Sequence, residues 1–188
     1  MRISGGILAG RPFKTPRGSL RPTKEQVREA LFASLGERTV GSRVLDLYAG
    51  SGALGLEAWS RGAAHVCFVE RDRRVLQTLQ ANVRGLCGQR ERPTRCAQGD
   101  VMSFLEKERP AKPYDIVLAD PPYDRESRRG LLEKTLRVLG GPRILASDGM
   151  LVFEQSAAES AVEVEGWRLS RDKAYGDTRL LIYVRDPS

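Results

Sequence analysis

Val44-Leu45-Asp46-Leu47-Tyr48-Ala49-Gly50-Ser51-Gly52-Ala53-Leu54-Gly55 decides how the rest of the chain is read. A short apolar run over 44–47 enters a turn containing Gly50 and Gly52, and an amphipathic stretch over 53–60 leaves it, which predicts a β-strand, a tight loop and a helix. Glycine at those positions permits positive φ and close approach of the backbone to a bound group, while the helix start offers unpaired N–H groups. Downstream, apolar runs at 66–69, 94–97, 116–119 and 150–153 alternate with helical stretches at 73–86, 101–107 and 128–139. That alternation predicts an α/β fold: a doubly wound, mostly parallel sheet with helices on both faces. The end differs. Segments 167–174 and 179–184 flank Tyr175-Gly176-Asp177-Thr178 without room for a crossover helix, so they read as a hairpin that adds an antiparallel strand.

The 188 residues suffice for one full core, and a composition 40% hydrophobic and 29% charged excludes a disordered chain. No run approaches the roughly 18 apolar residues of a membrane span, and the first residues lack the apolar stretch of a secretion signal, so a cytoplasmic protein is expected. Cys67, Cys87 and Cys96 form no C-x-x-C pair and His65 is the single histidine, so neither disulfides nor a metal site is expected.

The formal charge of +7 is unevenly placed: residues 1–43 carry nine Lys/Arg against three acids, residues 44–188 carry 22 against 21. Arg2, Arg11, Lys14, Arg17, Arg21, Lys24, Arg28, Arg38 and Arg43, interleaved with Gly and Pro, form the electrostatic footprint of a segment that meets phosphates; a solvated arm has the same composition. The chain therefore divides into a basic extension, 1–43, and a main domain, 44–188. Within the extension, 1–22 suits a short hairpin or irregular arm. A helix follows, with Thr23 and Gln26 as a capping box, Val27, Ala30, Leu31 and Leu35 on one face, and Gly36 at its end.

The glycine loop formally satisfies G-x-G-x-x-G, and Glu70 closes the second strand where a ribose-binding acid would stand, so a dinucleotide site is one reading. Asp46 argues against it, because a carboxylate four residues before Gly50 repels a pyrophosphate. It suits instead a ligand with an ammonium and a sulfonium, and S-adenosylmethionine has both. Asp100, in Gly99-Asp100-Val101, ends the third strand: it can accept from an adenine amine beside the Val101 N–H, and it can equally cap the following helix. Asp120-Pro121-Pro122-Tyr123 follows the fourth strand, beside the crevice where open α/β sheets bind ligands. Its carboxylate and the Pro121 carbonyl are acceptors for an exocyclic amine, and Tyr123 offers a ring face for a base.

These residues resemble a class I S-adenosylmethionine-dependent methyltransferase, with a Rossmann-like sheet of seven strands, acting on an exocyclic amino nitrogen. Arg21-Pro22-Thr23, Val27-Arg28-Glu29-Ala30-Leu31-Phe32, the loop 46–58, Ser60-Arg61-Gly62-Ala63, Phe68-Val69-Glu70, Asp120-Pro121-Pro122-Tyr123 and Tyr175-Gly176-Asp177-Thr178 together are similar to the bacterial 16S rRNA guanine-N2 methyltransferase family RsmD, over essentially the whole chain. Tyr48 stands where Phe is commoner, and Arg11-Pro12-Phe13 departs from the usual R-G-R run. The resemblance implies methylation of one guanine in 16S rRNA within the small ribosomal subunit or its assembly intermediate, by a monomer and without a metal. It places Asp46, Tyr48, Gly50, Ser51, Gly52, Glu70, Arg71, Asp100 and Val101 around the cofactor. Asp120, Pro121, Pro122 and Tyr123 fall at the target base, and Arg11, Lys14, Arg17, Arg21, Thr23, Arg28 and Tyr175 on the RNA. The alternatives are a DNA adenine-N6 methyltransferase, which D-P-P-Y would serve equally, and a noncatalytic RNA-binding module on the same fold.

Overall fold

The computed structural model describes residues 1–15, 25–88, 93–122, 130–141 and 143–186. Its strands are β1 (Arg43–Leu47), β2 (His65–Glu70), β3 (Thr94–Gln98), β4 (Tyr114–Ala119), β5 (Leu145–Ser156), β6 (Trp167–Tyr175) and β7 (Thr178–Arg185). The α-helices are α1 (Glu25–Leu35), α2 (Ala53–Ser60), α3 (Arg73–Cys87), α4 (Val101–Lys107) and α5 (Leu131–Leu139). The strands form one sheet in the order β3-β2-β1-β4-β5-β7-β6. The first five run parallel, and β7 is antiparallel to both of its neighbours, closing the expected hairpin at Tyr175 and Thr178.

Alternation along the strands builds two cores, because successive side chains point to opposite faces. Val44, Val66, Phe68, Ile116, Leu118, Met150 and Val152 face α1, α2, α3 and the N-terminal arm, whereas Leu45, Leu47, Cys67, Val69, Val117, Leu151 and Phe153 face α4 and α5. A strand buried on both sides reads as a continuous apolar run, which is why β1, β2 and β4 were legible. In contrast, β5 is longer than its apolar run: it starts at Leu145 and shifts register against β4 between Tyr114 and Ile116, passing through the turn-like Ser147-Asp148-Gly149. Helix α5 is described from Leu131, behind Gly130 at φ +70°. The proposed Thr23 cap lies outside the described residues.

Residues 1–15 pack as part of the fold. Arg2 and Pro12 form an antiparallel bridge, Gly10 N donates to Ile3 O at 2.8 Å, and Ile3, Leu8 and Phe13 are buried in the core that contains Leu31, Phe32, Leu35 and Trp59. The arm is fastened to α2 by the Ser60 hydroxyl, which accepts from Leu8 N at 2.9 Å and donates to Gly5 O, and by a carboxylate. Glu57, fully buried, accepts from Ser4 N at 2.8 Å, Ser4 Oγ at 2.8 Å, Arg28 Nε at 3.1 Å and Arg61 Nε at 2.8 Å. Arg28 is 1% exposed, and its Nη2 donates to Arg2 O at 2.7 Å. This corrects the sequence reading of Arg28 as an RNA contact. Its Nε and Nη2 are bonded inside the protein and its Nη1 is buried without a partner among the described residues, so the guanidinium compensates a carboxylate that α2 buries and has no surface to offer a phosphate.

Truncating Glu57 to Ala leaves the Arg28 guanidinium buried without its counter-charge and should cost about 3–5 kcal/mol of stability. Urea unfolding of the two proteins checks this; a difference below about 1 kcal/mol would show that the arm and α1 dock without that charge.

Candidate active site

Strand register assembles the site before any side chain is considered. Leu47 is level with Val69 on one side and Ala119 on the other, so Tyr48, Glu70 and Asp120 form the next row at the carboxyl end of the sheet; Gln98 is level with Glu70, which puts Asp100 just above. A cavity of about 230 Å³ opens there, lined by Tyr48, Glu70, Arg71, Asp72, Val75, Asp100, Val101, Asp120 and Pro122. Six of these were expected from sequence as cofactor or target contacts, and Pro122 makes a seventh. Asp72 and Val75 were missed. Asp72 sits at the start of α3 and its Oδ1 accepts from Arg74 N at 2.7 Å and Val75 N at 3.0 Å, so an acid just before a helical run was the available signal.

The glycine loop continues from Tyr48, which lines this cavity, and is held by carboxylates. Glu70 Oε2 accepts from Gly50 N at 3.0 Å and Oε1 from Asp72 N at 2.8 Å. Asp46 Oδ2 accepts from Gly55 N at 2.9 Å, and Ala49 N reaches Val69 O at 3.0 Å. Between these anchors Tyr48 has φ +58°, a left-handed conformation that costs a non-glycine residue roughly 1–3 kcal/mol and persists only where neighbours enforce it. Gly55 meets a packing demand: a Cβ there would come 2.3 Å from Phe68 Cε1 and 2.8 Å from Asp46 Oδ2.

Asp46 is 1% exposed and does not line the cavity; its visible work is to brace the loop from below, where the sequence reading had it meeting the ligand's ammonium. Among the described residues two N–H groups use Glu70, which has roughly four acceptor positions and lines the cavity. Asp100 caps α4, accepting from Ser103 N at 3.0 Å, and also lines the cavity beside Val101. The lining fits S-adenosylmethionine, with acids at two rims able to accept from hydroxyls and an amine, and Val75 and Val101 as apolar walls.

Other expected contacts fall elsewhere. Gly50, Ser51 and Gly52 are buried within the loop and Pro121 is buried, and none of the four lines the cavity. Arg11 and Lys14 are exposed on the arm, and Tyr175 is half-buried at the hairpin turn with Lys173 Nζ 5.2 Å from its ring centroid. Arg17, Arg21, Thr23 and Tyr123 lie outside the described residues.

Fold and site define a class I S-adenosylmethionine-dependent methyltransferase. Residues 1–184 match the family model described as Conserved hypothetical protein 95. The chain is 39% identical, over 99% of its length and 90% of the relative's, to Ribosomal RNA small subunit methyltransferase D of Escherichia coli strain K12, and it belongs to that family, RsmD. The protein of the same name from Buchnera aphidicola subsp. Acyrthosiphon pisum is 33% identical over 97% of this chain and 92% of its own. Among solved structures, yhhF from Escherichia coli superposes with a TM-score of 0.85 at 37% identity, covering 100% of this chain and 99% of that one.

Burial pushes the Asp46 carboxyl up from 3.8 to about 8, the Gly55 N–H opposes this, and the neighbouring Asp120 and Glu70 add to it. Between those two values the folded chain retains a proton that the unfolded chain has released, so this residue lowers stability as pH rises from about 4 to about 8. Asp46→Asn keeps an oxygen for Gly55 and removes the titration. Its stability relative to the parent should improve steadily between about pH 5 and pH 8 in urea unfolding; a difference that does not vary with pH would put Asp46 at its ordinary acidity.

Proposed function

We propose that the chain methylates the exocyclic N2 of a guanine in 16S rRNA, on the small ribosomal subunit or an assembly intermediate, acting as a cytoplasmic monomer. The observation that carries this reading is Asp120, which follows β4 into Pro121 and Pro122 and lines the same cavity as Glu70 and Asp100. The relatives named as small subunit rRNA methyltransferases support the nucleic acid chosen. Among the described residues no helix is long and apolar enough to cross a membrane.

When bound, S-adenosylmethionine supplies an electrophilic methyl group on a sulfonium, whose departure leaves a neutral thioether. The residues of this chain have the other half of the task. A guanine N2 lone pair is delocalised into the purine, so it must be localised and aimed. Asp120 and the Pro121 carbonyl would accept its two N–H groups, favouring a pyramidal nitrogen in line with the methyl–sulfur bond. The nitrogen lone pair would form the new N–C bond as the S–C pair is left on sulfur, and the Asp120 carboxylate would take the proton that the nitrogen loses. Asp120 need not be a strong base, because that proton becomes acidic as the bond forms. Tyr123 would stack on the base. Reaching N2 requires an unpaired or extruded guanine, at a cost of a few kcal/mol that phosphate contacts from the arm would offset.

Asp120→Ala should retain cofactor binding and lower turnover by on the order of 10²–10³, as expected when one preorganised hydrogen-bond partner of the transition state is removed. Asp120→Asn should fall less, since its amide oxygen still accepts. Single-turnover transfer of labelled methyl to purified small subunits, free rRNA and duplex DNA, followed by nucleoside digestion, measures rate and product together. N2-methylguanine in rRNA supports the reading; N6-methyladenine in DNA, or a parental rate for Asp120→Ala, overturns it.

Neutralising Arg11, Lys14, Arg17 and Arg21 to Gln should weaken RNA binding and reduce the slope of log affinity against log salt by about 0.7–0.9 for each phosphate that the arm no longer neutralises, while cofactor affinity stays as it was. An unchanged slope would leave the arm a solubilising segment.

A further inference from the structure

Asn82 joins two segments that the sequence keeps far apart. On α3 it follows Leu79 by three residues, and both face the glycine loop: the Leu79 Cδ1 lies where a Cβ at Gly52 would be only 2.6 Å away. Asn82 is 6% exposed. Its Oδ1 accepts from Lys14 N at 2.9 Å, and its Nδ2 donates to Lys14 O at 2.8 Å and to Ser51 O at 2.9 Å. The acceptor and both donor positions of the amide group are thus engaged, and turning it over would set its NH₂ group against Lys14 N–H.

The two partners belong to different functional parts. Ser51 stands between Gly50, whose N–H is held by Glu70, and Gly52, which leads into α2. Lys14 lies one residue before the end of the described arm, carries an exposed side chain, and precedes Arg17 and Arg21 in sequence. Displacing either backbone strips a buried polar group of its partner, and an Asn82 side chain that follows one backbone is drawn off the other, so the two are held in one arrangement by the shared amide.

We propose that Asn82 is a positioning residue that couples the N-terminal arm to the cofactor loop. A cofactor that orders the loop orders the arm through it, and a partner that grips the arm alters cofactor affinity by the same factor, because such linkage is reciprocal. The inference rests on the S-adenosylmethionine cavity and is independent of which nucleic acid the arm meets.

Hydrogen exchange of the full chain with and without S-adenosylhomocysteine tests it. In the unmutated protein the ligand should slow exchange over 48–56 and also over 1–15, by roughly fivefold or more. Asn82→Ala should keep the slowing over 48–56 and abolish it over 1–15. A merely structural rivet would speed arm exchange equally in both states and leave the ligand's effect on the arm unmoved. If the ligand slows the loop of the unmutated chain but not its arm, the coupling is absent and no variant is needed to show it. An arm that responds fully in Asn82→Ala assigns the coupling elsewhere. Absence of any slowing at the loop would remove the cofactor reading itself, a result separable from both.

Discussion

Two buried carboxylates hold the glycine loop where it turns off β1, accepting N–H groups that neither the sheet nor α2 takes up. Glu70 takes the N–H of Gly50 and Asp46 that of Gly55. Both acids come from adjacent parallel strands, so the loop's shape depends on β1 lying beside β2, and the level pairing of Leu47 with Val69 brings Glu70 into reach. The left-handed Tyr48 and the missing side chain at Gly55 follow from the same constraint, since the chain has to turn sharply off β1 and let α2 settle on Phe68. Placing carboxylates where water is excluded has an electrostatic consequence: Asp46 is pushed toward its protonated form, most strongly by burial.

Glu57 repeats the device at the far side of α2. One buried carboxylate gathers the arm through Ser4, α1 through Arg28, and its own helix through Arg61. The basic extension is therefore two things. Arg28 is spent on folding, while Arg11 and Lys14 remain on the surface, and the arm shares the core formed by α1 and α2. Since the loop opens α2 at one end and the arm is tied along it, whatever engages the arm works against the scaffold of the cofactor site.

The central strands and the positions of Glu70, Asp100 and Asp120 were legible because parallel strands buried on two faces leave continuous apolar runs, and their carboxyl ends are where such sheets place ligands. Strand β5 was legible only in part: its first half carries Asp148 and Gly149, which signal a turn and which a register shift accommodates. Asn82 and Glu57 gave no signal of their role, because a polar residue on an amphipathic helix is ordinarily a solvated one.

By itself, then, the order of residues determined the α/β alternation, the glycine loop, the row of acids at the strand ends and the excess of positive charge in the first 43 residues, all of which are local patterns or sums along the chain. Only the tertiary structure decided which charges face water. Arg28 and Arg11 are alike as letters, yet one lies against Glu57 at 1% exposure and the other on the open side of the arm. Burial and pairing are set by elements brought together across tens of residues, and the stability of a charge depends on that surrounding medium far more than on its neighbours in sequence.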